Sequence, residues 1–286
     1  VLANLPGRGP EAGAALAAHP GIAMISATAS IAAGQEIARR AAGNLKRLSL
    51  ELGGHAPFIV LPDADVEAAA KAALRRSFSN MGQICIAVNR ILVHRDVHRR
   101  FADALAAQTD AIVLGHGLEE GVAYGPVLNA SVIERTQAHL DDALAKGGRL
   151  LAGGQRPRLD GLEEGFFYRP TLVDEAPLDS LPMTSESFGP IAAMRAFDTI
   201  EEMLAIANGL EFGLAAYLYT EDLERGWAIA EALECGMVGV NVNDTSDLQA
   251  PFGGTKLSGL GRELGTEGLM AYLEPKLIRM RRRAIG

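Results

Sequence analysis

The sequence predicts an α/β fold with largely parallel sheets, and three observations predict it. Strand-like apolar runs alternate with helix-like stretches along the chain, the pattern of successive βαβ units. Turn residues punctuate that alternation at Pro20-Gly21, Gly43, Gly53-Gly54 and Gly147-Gly148. The chain has 286 residues, 48% of them hydrophobic and 22% charged. That length suits about two domains with a real core, and that balance excludes a disordered, collagen-like or mucin-like chain.

Each element has its own warrant. Ile22 to Ser26 is a short apolar run after the Pro20-Gly21 turn. Ile31 to Ala42 reads as a helix, with Ser30 as N-cap and Gly43 as the stop. Leu45 to Leu52 reads as a strand, Leu48, Leu50 and Leu52 facing one way and Arg47, Ser49 and Glu51 the other. Pro57 to Leu61 is a further apolar run, and Asp65 to Phe78 is an Ala-rich helix. Arg90 to His94 is expected as a strand, Asp96 to Thr109 as a helix, and Ser131 to Lys146 as a helix ending at Gly147-Gly148. The later half repeats the rhythm. Strands are expected at Ile191 to Phe197, Ala215 to Tyr219 and Met237 to Asn241, and helices at Thr199 to Asn208 and Glu221 to Glu234. Gly153 to Gly165 and Thr245 to Gly261 are rich in loop residues.

Charge and cysteine content narrow the function classes. The formal net charge is -8, the wrong sign for a general nucleic-acid binder. The basic tail Arg279, Arg281, Arg282 and Arg283 reads as a solvated edge strand, where cations discourage aggregation, or as a frayed end. No run approaches the ~18 apolar residues of a membrane helix. Only Cys85 and Cys235 are present, which excludes a disulfide scaffold and a cysteine-rich zinc site. Two thiols suit a reducing compartment, and a cytoplasmic location is expected. The chain begins with Val1, so the true N-terminus is expected upstream.

Three segments carry residues suited to chemistry. Cys85 ends the run Phe78-Ser79-Asn80-Met81-Gly82-Gln83-Ile84-Cys85. A lone Cys after a glycine is commonly a small buried hydrophobe. Here Asn80 and Gln83 bring polar groups, and Gly82 permits close backbone approach. A helix beginning near Cys85 would favour its thiolate. Cys235 has no such neighbours and reads as core. Glu51 closes a strand before Gly53-Gly54. It is either a surface carboxylate or a site residue, since open α/β sheets build their sites at carboxyl strand ends. A nucleophile needs a base or a positioned water, so Glu51 and Cys85, 34 residues apart, gain meaning together. In Ser185-Glu186-Ser187-Phe188-Gly189-Pro190, a carboxylate and an aromatic ring two residues apart point the same way if extended. They could hold a ribose hydroxyl and a flat ring, or Phe188 could be a buried loop anchor.

Together these segments resemble the aldehyde dehydrogenase superfamily. Leu50-Glu51-Leu52-Gly53-Gly54 is similar to its general-base motif, Phe78 to Cys85 to its nucleophile motif, and Glu186 to Pro190 to its nicotinamide-ribose motif. Asn208 to Tyr217 and Pro251 to Glu263 also match, in order. The resemblance implies the family's partial Rossmann-type cofactor domain plus an α/β catalytic domain, with the N-terminal portion absent. It divides the chain into residues 1–54 of the cofactor domain, a catalytic domain over 55–250, and a return segment with an oligomerisation strand over 251–286. It implies NAD or NADP as cofactor, a small-molecule aldehyde as substrate, no nucleic-acid or membrane partner, and a homodimer or homotetramer with the strand Pro275 to Arg283 in the interface. Cys85 would attack the aldehyde, its backbone N–H would help hold the oxyanion, and Glu51 would activate water against the thioester. Asn80 would orient the nucleophile loop. Ser30 and Gly34 would face the pyrophosphate, Leu52 the nicotinamide amide, and Glu186 and Phe188 the nicotinamide ribose.

The sequence also departs from the family pattern. Ala27 stands where the family usually has an aromatic residue, and Ala29 where it has a glycine, in the phosphate-side turn. His55 replaces a common lysine. The upstream strands, adenine-ribose contacts and asparagine oxyanion donor of the family are not in this sequence. The run Leu233 to Asn241, with Ala250 to Glu263, most resembles succinate-semialdehyde dehydrogenases. Those enzymes grip the distal carboxylate with an arginine where Ser79 stands here, and a charge-assisted hydrogen bond of ~1.5–3 kcal/mol goes with it. Ser246 and Asp247 fall in a loop placed to line a substrate tunnel. Two other readings remain: a non-catalytic scaffold that keeps the fold, and an acylating relative that passes the thioester to coenzyme A or phosphate. Glu51 argues against the latter.

Overall fold

The computed structural model describes residues 2–281. In chain order the elements are α1 (Ala14–Ala18), β1 (Met24–Thr28), α2 (Ile31–Ala41), β2 (Arg47–Glu51), β3 (Ala56–Val60), α3 (Val66–Phe78), β4 (Val88–His94), α4 (Arg95–Asp110), α5 (Ala130–Ala145), β5 (Arg149–Ala152), β6 (Thr171–Asp174), α6 (Leu181–Thr184), β7 (Ile191–Phe197), α7 (Ile200–Asn208), β8 (Ala215–Tyr219), α8 (Leu223–Ala232), β9 (Met237–Val240), β10 (Gly259–Leu260) and α9 (Gly265–Met270).

The strands form two sheets. Seven strands lie in the order β5-β6-β7-β4-β3-β8-β9. All neighbouring pairs are parallel except β5 with β6. A parallel sheet must be covered on both faces, and the alternation along β3 shows how. Phe58 and Val60 pack with α3 and α4 residues such as Ala69, Phe101 and Leu105. Ile59 and Leu61 face the other layer, with Leu140, Phe197, Met203 and Ile229. Phe58 stacks on Tyr219 with ring centroids 4.9 Å apart. The buried Arg90 of β4 donates to the carbonyls of Ile206 and Ala207, which α7 leaves free at its C-terminal end, and to that of His55;.

The other sheet has three strands, in the order β1-β2-β10. β1 and β2 run parallel, and the two-residue β10 returns antiparallel, Gly259 opposite Glu51. β1 is only half-buried. Ser30 caps α2 through its hydroxyl, which accepts from the Ala33 N–H;.

Helices with clear caps follow the sequence closely. Asp65, expected as the first helical residue, instead caps α3 and accepts from the Glu67 and Ala68 N–H groups. The first strand begins two residues later than expected, because Ile22 is held in the turn by its N–H on the His19 carbonyl. β5, β6, α1, α6, β10 and α9 have no counterpart among the expected elements. Of the strand expected over Pro275 to Arg283, residues 275–281 are irregular and exposed, and Arg282 and Arg283 lie outside the described residues. Among the described residues no strand lies beside this segment to give it a ladder partner;. Among the described residues no helix is long and apolar enough to cross a membrane.

Candidate active site

A cleft of about 560 Å³ opens where the two sheets meet. Thr28, Ala29, Ser30, Glu51 and Gly53 line it from the three-stranded side, and Gln83, Ile84, Cys85, Arg135, Glu186 and Phe188 from the other. Its size suits a small molecule or part of a cofactor.

Close backbone packing brings the two sides together. A Cβ on Gly54 would lie 2.3 Å from the Cys85 carbonyl oxygen, and one on Gly53 2.4 Å from Glu186 Oε2. Gly54 is therefore a steric requirement against backbone, whereas at Gly53 the neighbour is the movable end of the Glu186 side chain. The Gly54 N–H donates to Glu186 Oε1 at 3.1 Å. Ser258, from the return segment, fixes the same turn: its hydroxyl donates to the Gly53 carbonyl at 2.8 Å, and its carbonyl accepts from the Leu52 N–H.

Cys85 is reached through a tight loop. Asn80 and Met81 both adopt the left-handed region, at φ 49° and 56°, and mutual side-chain bonds hold them. Asn80 Nδ2 donates to the Gln83 carbonyl at 3.1 Å, and Gln83 Nε2 donates to the Asn80 carbonyl at 2.9 Å. A Cβ on Gly82 would sit 2.2 Å from the Gly189 carbonyl oxygen, which joins this loop to the Glu186–Phe188 segment.

No helix begins at Cys85. The chain turns there and enters β4. The expected helix-dipole activation of the thiol is thus absent. Burial pushes the Cys85 thiol up to about 12, and the Glu51 carboxylate beside it adds to the shift. The backbone N–H groups of Ile86 and Cys85 lie against the sulfur and act the other way. Glu51 is itself raised by burial, while the thiol's hydrogen bond lowers it and Glu263 raises it. Its Oε1 is buried without a hydrogen-bond partner. Glu186 is pushed up to about 7 by burial, opposed by the Gly54 N–H and by Arg135, and reinforced by Glu51.

The other expected site residues divide. Ser30, Glu186 and Phe188 line the cleft beside Cys85 and Glu51. Phe188 sits at φ 45° with 39% of its surface exposed, so it is not a buried anchor. Leu52 and Gly34 do not line the cleft. They pack on each other behind it: a Cβ on Gly34 would lie 2.5 Å from the Leu52 methyls. Asn80 holds the loop from outside the cleft. Arg135 on α5 was not foreseen. It donates to the carbonyls of Ser187 and Phe188 and no motif surrounds it, so only the fold could reveal it. Ser258 could have been singled out from its place between Gly253-Gly254 and Gly259.

Cys85 and the buried Glu51 carboxylate thus share one cleft with Ser30 at the capped start of α2 and with Glu186. Comparison with known proteins gives the family. The aldehyde dehydrogenase family profile matches residues 1–278, and the chain belongs to that family. It is 44% identical over 276 residues to a succinate semialdehyde dehydrogenase of Acinetobacter baylyi, covering 96% of this chain and 56% of that protein. It is 41% identical to a 3-sulfolactaldehyde dehydrogenase of Pseudomonas putida, covering 97% of this chain and 56% of the other. Among solved structures it resembles a betaine aldehyde dehydrogenase of Staphylococcus aureus in complex with NAD+, with a TM-score of 0.91 and 34% identity over 97% of this chain and 57% of that one. The chain thus spans about half the length of the curated relatives it matches.

Proposed function

We propose that this chain provides the nucleophile and the base of an NAD(P)-dependent enzyme that oxidises an aldehyde to a carboxylic acid. One observation carries the reading: Cys85 and Glu51 meet in a cleft whose rim has Glu186, Phe188 and the N-terminus of α2. The names of the relatives support aldehyde oxidation, and the NAD+ complex supports a nicotinamide cofactor.

The residues fit such a cofactor. The N–H groups at the start of α2 beyond Ser30 suit a phosphate. Glu186 would accept from ribose hydroxyls, and Phe188 would pack beside them. When bound, a nicotinamide dinucleotide supplies the hydride acceptor. Cys85 at rest is a half-buried thiol held protonated by desolvation, so Glu51 takes its proton as the sulfur attacks the carbonyl carbon. The oxyanion of the thiohemiacetal lies against the N–H groups of Cys85 and Ile86. After oxidation to the thioester, Glu51 has passed its proton to solvent and is again a base. It then takes a proton from water, hydroxide adds to the thioester, and the carbon–sulfur bond breaks to release the acid. Asn80 keeps the loop in register throughout. Residues 1–54 would serve the cofactor side, 55–250 the catalytic side and 251–286 the return, within a homodimer or homotetramer.

The test is the appearance of reduced nicotinamide when NAD or NADP and a panel of aldehydes are supplied. It is run on this chain and on the chain joined to the upstream half of the Acinetobacter relative. A rate that disappears in Cys85→Ala supports the reading. No rate in either form would leave a scaffold that has kept the fold.

A further inference from the structure

Cys85 sits in a tight turn whose closing peptide is held at both ends. The Ala87 N–H donates to the Ile84 carbonyl at 3.0 Å. The Ile86 carbonyl, on the other side of the same planar peptide, accepts from the Tyr217 hydroxyl at 3.1 Å. Tyr217 is fully buried on β8, in the core cluster that contains Ile86 and packs against Cys85. With the Ile86–Ala87 peptide fixed, the adjoining Cys85–Ile86 peptide, whose N–H lies against the sulfur, has less freedom to turn.

Tyr217 is itself held by Arg76 of α3. The guanidinium carbon lies 5.7 Å from the centroid of the phenol ring, within the range of a cation–π contact. Arg76 is buried. Its Nε donates to the Asn243 carbonyl at 2.5 Å, and its far end pairs with Asp244 at 3.2 Å. A buried guanidinium is costly unless its donors are met, and here the segment after β9 meets them. Burial pushes the Tyr217 phenol up to about 12, with Arg76 acting against the shift and Cys85 adding to it. The hydroxyl therefore keeps its proton at neutral pH and can donate. Asp244, Arg76, Tyr217 and Ile86 form one line from the surface to the turn that carries the thiol.

We propose that Tyr217 is a positioning residue for the nucleophile: its hydroxyl sets the turn that carries Cys85, and Arg76 holds its ring in place from the segment after β9. Neither side chain lines the cleft with Cys85 and Glu51, so both act through the turn and not on a bound aldehyde. The effect on turnover rests on the aldehyde-oxidising reading above; the effect on the thiol does not.

Tyr217→Phe removes the hydroxyl and keeps the ring beneath Arg76, so it should fold. Tyr219→Phe, two residues along β8, is the control, because among the described residues the Tyr219 hydroxyl has no hydrogen bond to this turn. The first readout is alkylation of Cys85 by iodoacetamide on this chain at about pH 7 and pH 9, located by peptide mass spectrometry. Its rate follows the thiolate fraction. Tyr217→Phe should slow it about three- to tenfold, the range of one neutral hydrogen bond, and Tyr219→Phe should leave it unchanged. Unchanged alkylation in Tyr217→Phe, or equal slowing in both variants, overturns the proposal. Arg76→Met should slow alkylation by less, and Arg76→Met combined with Tyr217→Phe should be no slower than Tyr217→Phe alone. Effects that multiply would overturn the part assigned to Arg76. The second readout is turnover on the chain joined to the Acinetobacter upstream half. Tyr217→Phe should lower kcat about three- to tenfold with KM for the aldehyde unchanged. A raised KM with undiminished kcat overturns the proposal. If no form oxidises an aldehyde while alkylation still depends on Tyr217, the catalytic reading fails and the positioning of the thiol stands.

Discussion

The seven-stranded and three-stranded sheets are built differently, yet the candidate site belongs to both. In the larger sheet β3, β6 and β8 are buried along their whole length, with helices on both faces. In the smaller sheet β1 is half-exposed, and closure depends on the two residues of β10. Cys85, Glu186 and Phe188 stand on the first; Glu51 and Ser30 stand on the second. The difference teaches that fold and chemistry have separate weak points. The proposed nucleophile sits on the strong frame, and the proposed base sits on a joint held by Ser258 and Gly259.

The largest expected effect concerns the nucleophile. Cys85→Ala should lower aldehyde oxidation by roughly 10³-fold or more, while its denaturant midpoint stays near that of the wild type. A matching fall in stability would break the separation. Next comes the core. Phe58→Ala, in the fully buried aromatic cluster, should cost about 3–5 kcal/mol. Ile25→Ala in half-buried β1 should cost less than half as much by the same denaturant titration. Equal costs would show that the two sheets are equally tight.

The joint can be tested without touching either core. Gly259 sits at φ 145°, and a Cβ there would lie 2.0 Å from the Leu50 carbonyl oxygen. Gly259→Ala should therefore displace β10 from β2 and reduce kcat more than it shifts the midpoint of the main unfolding transition. Preserved kcat would show that β10 does not position Glu51.

The smallest effect is acid sensitivity of the larger unit. His55 is fully buried and held down to about 3 by burial and by Arg90, and His139 to about 4 by burial and Arg135. Both titrate near 6.5 when unfolded. Their folded values are lowered, so stability is full above that value and falls as pH drops toward 3 to 4. At pH 5 His55 alone should account for about 2 kcal/mol relative to neutral pH. Denaturant midpoints at the two pH values check this, and His55→Asn should reduce the difference.

Much of this was legible in the sequence, for identifiable reasons. α2, α3, β7 and β8 carry caps or dense apolar runs that local physics reads directly. The motif residues Glu51 and Cys85 were legible because glycines and spacing single them out. β5, β6 and β10 were not, being short and paired only through distant partners. The acidity of Cys85 was misjudged for a related reason. Burial and the approach of Glu51 are tertiary quantities, and a helix start expected from the sequence proved to be a turn. Arg135 was invisible because its partners are backbone carbonyls 52 and 53 residues away.

The central claim is that Cys85 and Glu51 act in succession on one carbon. Glu51→Gln tests it most directly, mixed rapidly with cofactor and aldehyde and then analysed by intact mass. The account predicts that reduced nicotinamide appears more slowly, because the amide cannot take the thiol proton, but still reaches one equivalent, with an acyl group retained on Cys85 and steady-state turnover lowered ~10²–10⁴-fold. Undiminished turnover with no acyl adduct would contradict it.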